Sequence, residues 1–126
     1  MGLLDGKRLL ITGVITDASI AFSIARIAQE QGATVVLTGY GRMSLVERVA
    51  RKLPSPPPVI ELDVADPAQL DSLADRLGEH LDGLDGVVHA IGFAPASCLG
   101  GGFLDAPWED VATAVQVSTY SLKSLA

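Results

Sequence analysis

Short apolar runs alternate with longer amphipathic segments along the whole chain. Each apolar run ends at a glycine or a polar residue, which predicts a buried β-strand. Between the runs, apolar residues recur every three or four positions, as on one face of a helix. The predicted strands cover residues 7–12, 34–38, 59–62 and 86–91, and the predicted helices cover 19–31 and 43–53 and begin again near 66 and 105. This alternation predicts an α/β protein with a parallel sheet.

Residues with strong positional preferences mark the helix ends. Ser19 is the predicted N-cap of the first helix and Gly32 its C-terminal stop. Pro67 lies in the first turn of the third helix, where its missing N–H costs nothing. Pro54–Pro58 contains a PxxP spacing, but we interpret it as a stiff lead-in to the third strand. The apolar residues expected to face inward are Ile20, Ile24, Ile27 and Ala28 on the first helix, Leu45, Val46, Val49 and Leu53 on the second, and Val111, Val115 and Tyr120 on the last.

Composition and charge narrow the class of protein. Of the 126 residues, 48% are hydrophobic and 19% charged, which favours one packed region with no internal domain boundary. The 9 basic and 15 acidic residues give a formal net charge of −6, which disfavours nucleic acid and anionic membranes as partners. No apolar stretch approaches the ~20 residues of a transmembrane helix, and the first residues lack the long apolar stretch of a signal peptide. We therefore expect a cytoplasmic location.

Few side chains point to nucleophilic or metal chemistry. Cys98 is the single cysteine, so it cannot form an internal disulfide, and no base lies near it in the sequence. His89 ends a buried strand and is expected to be structural, whereas His80 is expected at the surface. No cluster of His, Cys and carboxylates has the spacing of metal ligands, so no metal is expected.

The loop after the first strand is the first candidate ligand site. In parallel sheets, ligands bind beyond the carboxyl ends of the strands. Gly13 allows a close turn out of the strand, while Ser19 and Ile20 open the first helix, whose free N–H groups and dipole suit a pyrophosphate. The loop lacks the GxGxxG pattern, and an ordinary tight turn with a serine cap is the alternative interpretation.

The ends of the other three strands add compatible chemistry. Tyr40 could flank an adenine ring, and the nearby Arg42 is either a solvated charge or a partner for the 2′-phosphate of NADP. Asp63 and Val64 offer a carboxylate and an amide that match the edge of adenine, unless Asp63 serves only the backbone of its own loop. After the fourth strand, residues 90–93 provide a small residue, an apolar surface and a glycine for close backbone approach.

Together these segments resemble the enoyl-acyl-carrier-protein reductases, a divergent branch of the short-chain dehydrogenase/reductase superfamily, and most of all its mycobacterial, NADH-dependent group. The segments that carry the resemblance are residues 13–21, 62–64 and 88–93, and the likeness extends from Gly2 to Tyr120. It implies a Rossmann-type, doubly wound parallel sheet, with the strand order 3-2-1-4 in this chain. It also implies that residues 1–126 are the N-terminal part of a single dinucleotide-binding domain.

The resemblance assigns a cofactor role to eleven residues. It places Gly13 and Ile15 beneath the dinucleotide and Ser19 and Ile20 at the pyrophosphate. The remaining roles are the adenine site for Tyr40, Asp63 and Val64, the path under the adenosine ribose towards the nicotinamide for Ile91, Gly92 and Phe93, and an apolar contact near the adenosine for Val117. The mycobacterial group uses NADH despite a basic residue like Arg42, so NAD is favoured over NADP. Ala90 departs from the serine of that group.

The implied reaction is the NADH-dependent reduction of a trans-2-enoyl thioester on acyl-carrier protein, in fatty or mycolic acid biosynthesis. The family uses a tyrosine and a lysine seven residues apart, a pair that we expect beyond Ala126; no catalytic residue is therefore expected here. Tyr120 and Lys123 are three residues apart, and we interpret them as a packed and a solvated side chain. The resemblance implies a homotetramer for the full-length protein. Another short-chain dehydrogenase and a catalytically inactive NAD-binding fragment stay open as alternatives.

Overall fold

The structure, a computed structural model, describes residues 2–126. Four parallel strands form one sheet in the order β3-β2-β1-β4, which confirms the predicted order. The strands are β1 (Arg8–Ile11), β2 (Thr34–Gly39), β3 (Val59–Glu61) and β4 (Gly86–Val88). The fourth strand is shorter than predicted because the N–H of Ala90 bonds to the Thr12 hydroxyl instead of to the β1 backbone.

Five α-helices connect and follow the strands: α1 (Ile20–Glu30), α2 (Met43–Ala50), α3 (Pro67–Gly78), α4 (Trp108–Val115) and α5 (Ser121–Leu125). A π-helical turn, Gln116–Tyr120, joins α4 to α5, and two 3₁₀ turns, Ala96–Cys98 and Gly100–Asp105, occupy the glycine-rich loop before α4.

The predicted helix ends are largely confirmed. Ser19 caps α1 through its hydroxyl, and Gly32 follows that helix with a φ of +96°. Asp66 caps α3 just before Pro67. Helix α2 stops three residues early, because the N–H of Leu53 bonds to Ala50 in a tighter turn.

Two apolar clusters lie on opposite faces of the sheet. Successive residues of β1 point in opposite directions, so Ile11 joins one cluster and Leu10 the other. The larger cluster packs α1 and α2 against the sheet through residues that include Phe22, Ala25 and Val49. The smaller packs α3 on the other face, through Leu77. Helices on both faces make this a doubly wound arrangement, as predicted.

The predicted inward face of α1 is partly wrong. Ile20 is 80% exposed and Ile27 is 50% exposed. The buried residues are instead Ala21, Phe22, Ala25 and Ala28. Small alanines let the helix approach the sheet closely, which turns the larger isoleucines outward. Ile20 is thereby left at the open end of the helix.

The last helical region also differs from the prediction. Val111 is half-buried, but Val115 and Tyr120 are about half exposed. Helix α4 packs mainly against the first 3₁₀ turn and the π turn. In the structure of residues 2–126, Val115 and Tyr120 are therefore not buried, and the prediction that they face inward is wrong.

Candidate functional site

The carboxyl ends of the four strands are tied together in pairs. The hydroxyl of Thr12 donates to the carbonyl of Val88 at 2.8 Å and accepts from the N–H of Ala90 at 3.0 Å. The N–H of Leu62 donates to the carbonyl of Gly39 at 2.8 Å. These bonds hold the ends of β1 and β4, and of β2 and β3, in register. All the predicted site residues except Val117 follow one of these strand ends.

Gly13 makes the turn out of β1, and the structure requires glycine there for two reasons. Its φ of +82° lies in the left-handed region, which other residues rarely adopt. A Cβ at this position would also overlap the carbonyl oxygen of Ala90. Glycine therefore allows the turn to lie against the carbonyl of Ala90, where the ends of β1 and β4 meet.

The start of α1 presents free backbone donors. The hydroxyl of Ser19 donates to the carbonyl of Thr16 at 2.7 Å and accepts from the N–H of Phe22 at 3.3 Å. The N–H groups of Ile20 and Ala21 donate to no acceptor within residues 2–126. The first turn carries no acidic side chain, so the positive end of the helix dipole is not neutralised. This end of α1 suits an anion.

An ion pair ties the loop between β1 and α1 to the region after α2. Lys52 Nζ lies 2.9 Å from Asp17 Oδ2. The hydrogen bond and charge of Lys52 lower the pKa of Asp17. Lys52 thus offsets the negative charge of Asp17 beside the open helix end. Ile15, in the same loop, is 63% exposed.

After β2, Tyr40 is 69% exposed at the edge of the site. Arg42 precedes α2 as its N-cap, although its side chain makes no capping hydrogen bond. Both side chains are therefore accessible to a ligand on this side of the sheet.

After β3, Asp63 and Val64 present one acceptor and one donor. Asp63 Oδ1 accepts from the N–H of Ala65 at 2.9 Å, so the carboxylate does serve its own loop. Its second oxygen, Oδ2, and the N–H of Val64 form no hydrogen bond within the described chain. The side chain of Val64 is buried, which fixes the direction of its backbone N–H.

After β4, the chain runs towards the π turn. Ile91 is half-buried, Gly92 is exposed and Phe93 is 53% exposed. The hydroxyl of Ser118 bonds to both backbone groups of Phe93. Val117, the neighbour of Ser118, is half-buried in the same turn.

Three hydroxyl residues at this edge escaped the sequence analysis. Thr12 and Ser118 make the contacts described above, and Ser121 Oγ lies 2.8 Å from His89 Nε2 while donating to the carbonyl of Val117. His89 is thus a hydrogen-bonded structural histidine, as predicted. For Thr12, the sequence offers one signal of such a role, a hydroxyl residue directly before the glycine that ends the strand. Ser118 and Ser121 offer none, because serines are ordinary in a helical pattern.

The remaining candidates, the Tyr120–Lys123 pair and Cys98, do not lie at the strand ends. Lys123 Nζ donates to Tyr120 Oη at 3.3 Å, and both side chains are exposed. Cys98 is half-buried, and its neighbour Ser97 donates to Asp110. In the described chain, no three His, Cys, Asp or Glu side chains converge as a metal site requires. None of its helices combines the length and apolarity needed to cross a bilayer.

The arrangement fits an elongated ligand that carries phosphate. The turn at Gly13 leads from β1 to the start of α1, where the N–H groups of Ile20 and Ala21 are free. After β3, Asp63 Oδ2 offers a separate acceptor and the N–H of Val64 a separate donor. A dinucleotide, with a charged centre and a polar base at one end, has this distribution of groups.

Comparison with known proteins agrees with this geometry. The sequence model of the enoyl-(acyl carrier protein) reductase family matches residues 13–126. An enoyl-[acyl-carrier-protein] reductase [NADH] of Mycolicibacterium smegmatis is 54% identical across 99% of this chain and 48% of the relative. The reductase of the same name from Mycobacterium avium is 51% identical over 99% of this chain, and the enoyl-[acyl-carrier-protein] reductase [NADH] FabI of Neisseria meningitidis is 47% identical over 100% of it.

The chain spans about half the length of these curated relatives. The family match, by contrast, includes every strand end after β1 and all five helices. The resemblance seen in the motifs is thereby confirmed, and the chain belongs to the enoyl-(acyl carrier protein) reductase family.

Proposed function

We propose that the protein is an NADH-dependent enoyl-acyl-carrier-protein reductase of fatty or mycolic acid biosynthesis, and that this chain supplies most of its cofactor site. The observation that carries the proposal is the 54% identity to a relative named as an NADH enoyl reductase, over 99% of the chain. The free N–H groups at the start of α1 and after β3 support it.

In this proposal the pyrophosphate lies over the turn at Gly13 and the start of α1. The N–H groups of Ile20 and Ala21 donate to phosphate oxygens. Ser19, whose hydroxyl caps the helix through the N–H of Phe22, holds the pyrophosphate beside them. The exposed side chain of Ile15 lies with Gly13 beneath the dinucleotide.

The adenine lies between Tyr40 and the end of β3. Tyr40 stacks on the ring, while Asp63 Oδ2 and the N–H of Val64 bond to its edge. NADH is the proposed cofactor rather than NADPH, because the named relatives use NADH. A Kd for NADPH equal to or lower than that for NADH would assign Arg42 to a 2′-phosphate instead.

The segment after β4 carries the cofactor towards its reactive end. Ile91 and Phe93 supply apolar surface, Gly92 allows close backbone approach, and Val117 adds an apolar contact from the π turn. When bound, the nicotinamide supplies the hydride that reduces the enoyl thioester. The described residues bind and orient the cofactor, and we assign none of them to proton transfer.

We also propose the substrate, the location and the oligomeric state of the full-length protein. The substrate is an enoyl chain on acyl-carrier protein, the protein acts in the cytoplasm, and the full-length form is a homotetramer. Residues 1–126 form part of one dinucleotide-binding domain.

Two measurements on the full-length protein test the function. Calorimetric titration with NADH should give saturable binding, and NADH oxidation should depend on a trans-2-enoyl thioester. Oxidation with a ketoacyl or aldehyde substrate alone would identify another short-chain dehydrogenase. NADH binding without reduction of any enoyl thioester would identify a non-catalytic binding protein, and the absence of NADH binding would contradict both readings.

A further inference from the structure

Two side chains of α3 hold the backbone at the end of β3. Gln69 Oε1 accepts a hydrogen bond from the N–H of Asp63 at 2.6 Å. Arg76 Nη1 donates to the carbonyl of Glu61, and its Nη2 donates to the carbonyl of Gln69 at 3.0 Å. The segment is therefore fastened on both sides of Leu62 by residues that lie seven positions apart on one helix.

Arg76 is itself held in place. Its Nε donates to Ser72 Oγ at 3.1 Å, and Ser72 Oγ donates in turn to the carbonyl of Gln69. The side chains of Ser72 and Arg76 are thus joined to each other and to the backbone carbonyl of Gln69, and these contacts narrow the positions available to Arg76.

This network leaves only part of the loop free to bind a ligand. The N–H of Asp63 is used by Gln69, its carbonyl by the N–H of Asp66, and its Oδ1 by the N–H of Ala65. Asp63 Oδ2 and the N–H of Val64 form no bond within residues 2–126. One acceptor and one donor on adjacent residues are thereby offered together.

We propose that Gln69 and Arg76 are positioning residues that determine selectivity for adenine. By holding the backbone of Glu61–Asp63, they keep Asp63 Oδ2 facing the amino group of adenine and the N–H of Val64 facing its ring nitrogen. This inference rests on the proposed function, since it takes the adenine to lie against Asp63 and Val64.

The physical reason lies in the competing bonds of Asp63. Aspartate side chains readily bond to nearby backbone N–H groups. Without Gln69, the N–H of Asp63 becomes a second free donor, and the carboxylate can turn towards its own backbone. The acceptor would then no longer be held at the position where the base needs it.

Hypoxanthine is the informative comparison for adenine. It carries a carbonyl oxygen where adenine has its amino group, and a hydrogen on the adjacent ring nitrogen. The donor and acceptor on the base are thus exchanged, and both contacts with Asp63 and Val64 are mismatched. A rigid loop should discriminate between the two bases more strongly than a loose one.

The experiment compares the full-length protein with its Gln69→Met variant, in which the stem is kept and the acceptor is lost. Calorimetry measures the Kd for NADH and for reduced nicotinamide hypoxanthine dinucleotide. We expect the Kd for NADH to rise about fivefold, the equivalent of one hydrogen bond, and that for the hypoxanthine analogue to change by less than about twofold. Selectivity for adenine therefore falls.

Two further α3 variants strengthen the test. Gln69→Glu retains an acceptor for the N–H of Asp63. Its ratio of the two dissociation constants should therefore stay close to that of the unaltered protein. Arg76→Met removes the contact with Glu61 and should lower selectivity in the same direction as Gln69→Met.

A matched control lies at the other end of the sheet. Gln29 makes two hydrogen bonds to the backbone of Ser55, at 2.6 and 3.1 Å. Gln29→Met should lower the thermal midpoint and leave both dissociation constants unchanged. If Gln69→Met and Arg76→Met behave like this control, the two residues are merely structural and the proposal is overturned. If the unaltered protein binds no NADH, the proposed function fails and this inference fails with it.

Discussion

Ser118, in the π turn, makes two hydrogen bonds to the backbone of Phe93. Its Oγ accepts from the N–H of Phe93 at 2.9 Å and donates to the carbonyl of the same residue at 3.0 Å. The two residues are 25 positions apart. One hydroxyl therefore satisfies both backbone groups of a residue beyond the end of β4, and it fastens the proposed cofactor segment to the last helical region.

Replacing Ser118 should loosen this attachment. We expect Ser118→Ala to lower the free energy of unfolding by about 1–2 kcal/mol, because two partly accessible hydrogen bonds are lost. NADH binding should weaken as well. Ser124→Ala is the control, since its hydroxyl donates only to the carbonyl of Tyr120, four residues earlier, and its loss should cost less than about 0.5 kcal/mol. Equal unfolding curves for the two variants would contradict the role of Ser118.

Gly13 should tolerate no side chain. Gly13→Ala introduces left-handed strain of about 1–2 kcal/mol and adds an overlap with the carbonyl of Ala90. Gly41→Ala is the matched control, because Gly41 has a similar φ of +79° but open space around its Cβ position. Chemical denaturation should show a clearly larger loss for Gly13→Ala than for Gly41→Ala. A similar loss in both would mean that strain alone, without the overlap, sets the cost.

Stability at acid pH should depend on Asp85. The hydrogen bonds from Arg8 lower the pKa of Asp85 to about 2, and the pair joins β1 to the start of β4. A carboxylate with a lowered pKa stabilises the fold above its unfolded pKa of ~4, and this contribution disappears as the pH falls towards 2. The thermal midpoint of Asp85→Asn should therefore lie below that of the unaltered protein at neutral pH. The difference should shrink between about pH 4 and pH 2; a constant difference would contradict the prediction.

Ala90 should limit the affinity for NADH. Its Cβ faces the turn at Gly13, where a serine hydroxyl would add a direct or water-mediated hydrogen bond towards the phosphates. Such a bond is worth about 1 kcal/mol, so Ala90→Ser should lower the Kd for NADH about fivefold. Calorimetry on both proteins measures it, and equal dissociation constants would contradict it.

Much of the fold was predictable because its signals are local. Strand runs, helix periodicity and the caps at Ser19 and Gly32 depend on residues a few positions apart. The face of α1 was not fully predictable, because Ile20 and Phe22 are both apolar. The choice between them depends on how closely the helix approaches the sheet.

The candidate site, too, was predictable only in those features that depend on local sequence. The sequence by itself determined which residues follow the strand ends, and the motifs at residues 13–21, 62–64 and 88–93 determined the family. Only the tertiary structure decided that Val64 keeps a free N–H, that Gln69 reaches Asp63, and that Ser118 pairs with Phe93. The reason is physical. A hydrogen bond between distant parts of the chain depends on how whole helices and strands pack to within about an ångström, and the local pattern of apolar and polar residues does not determine that packing.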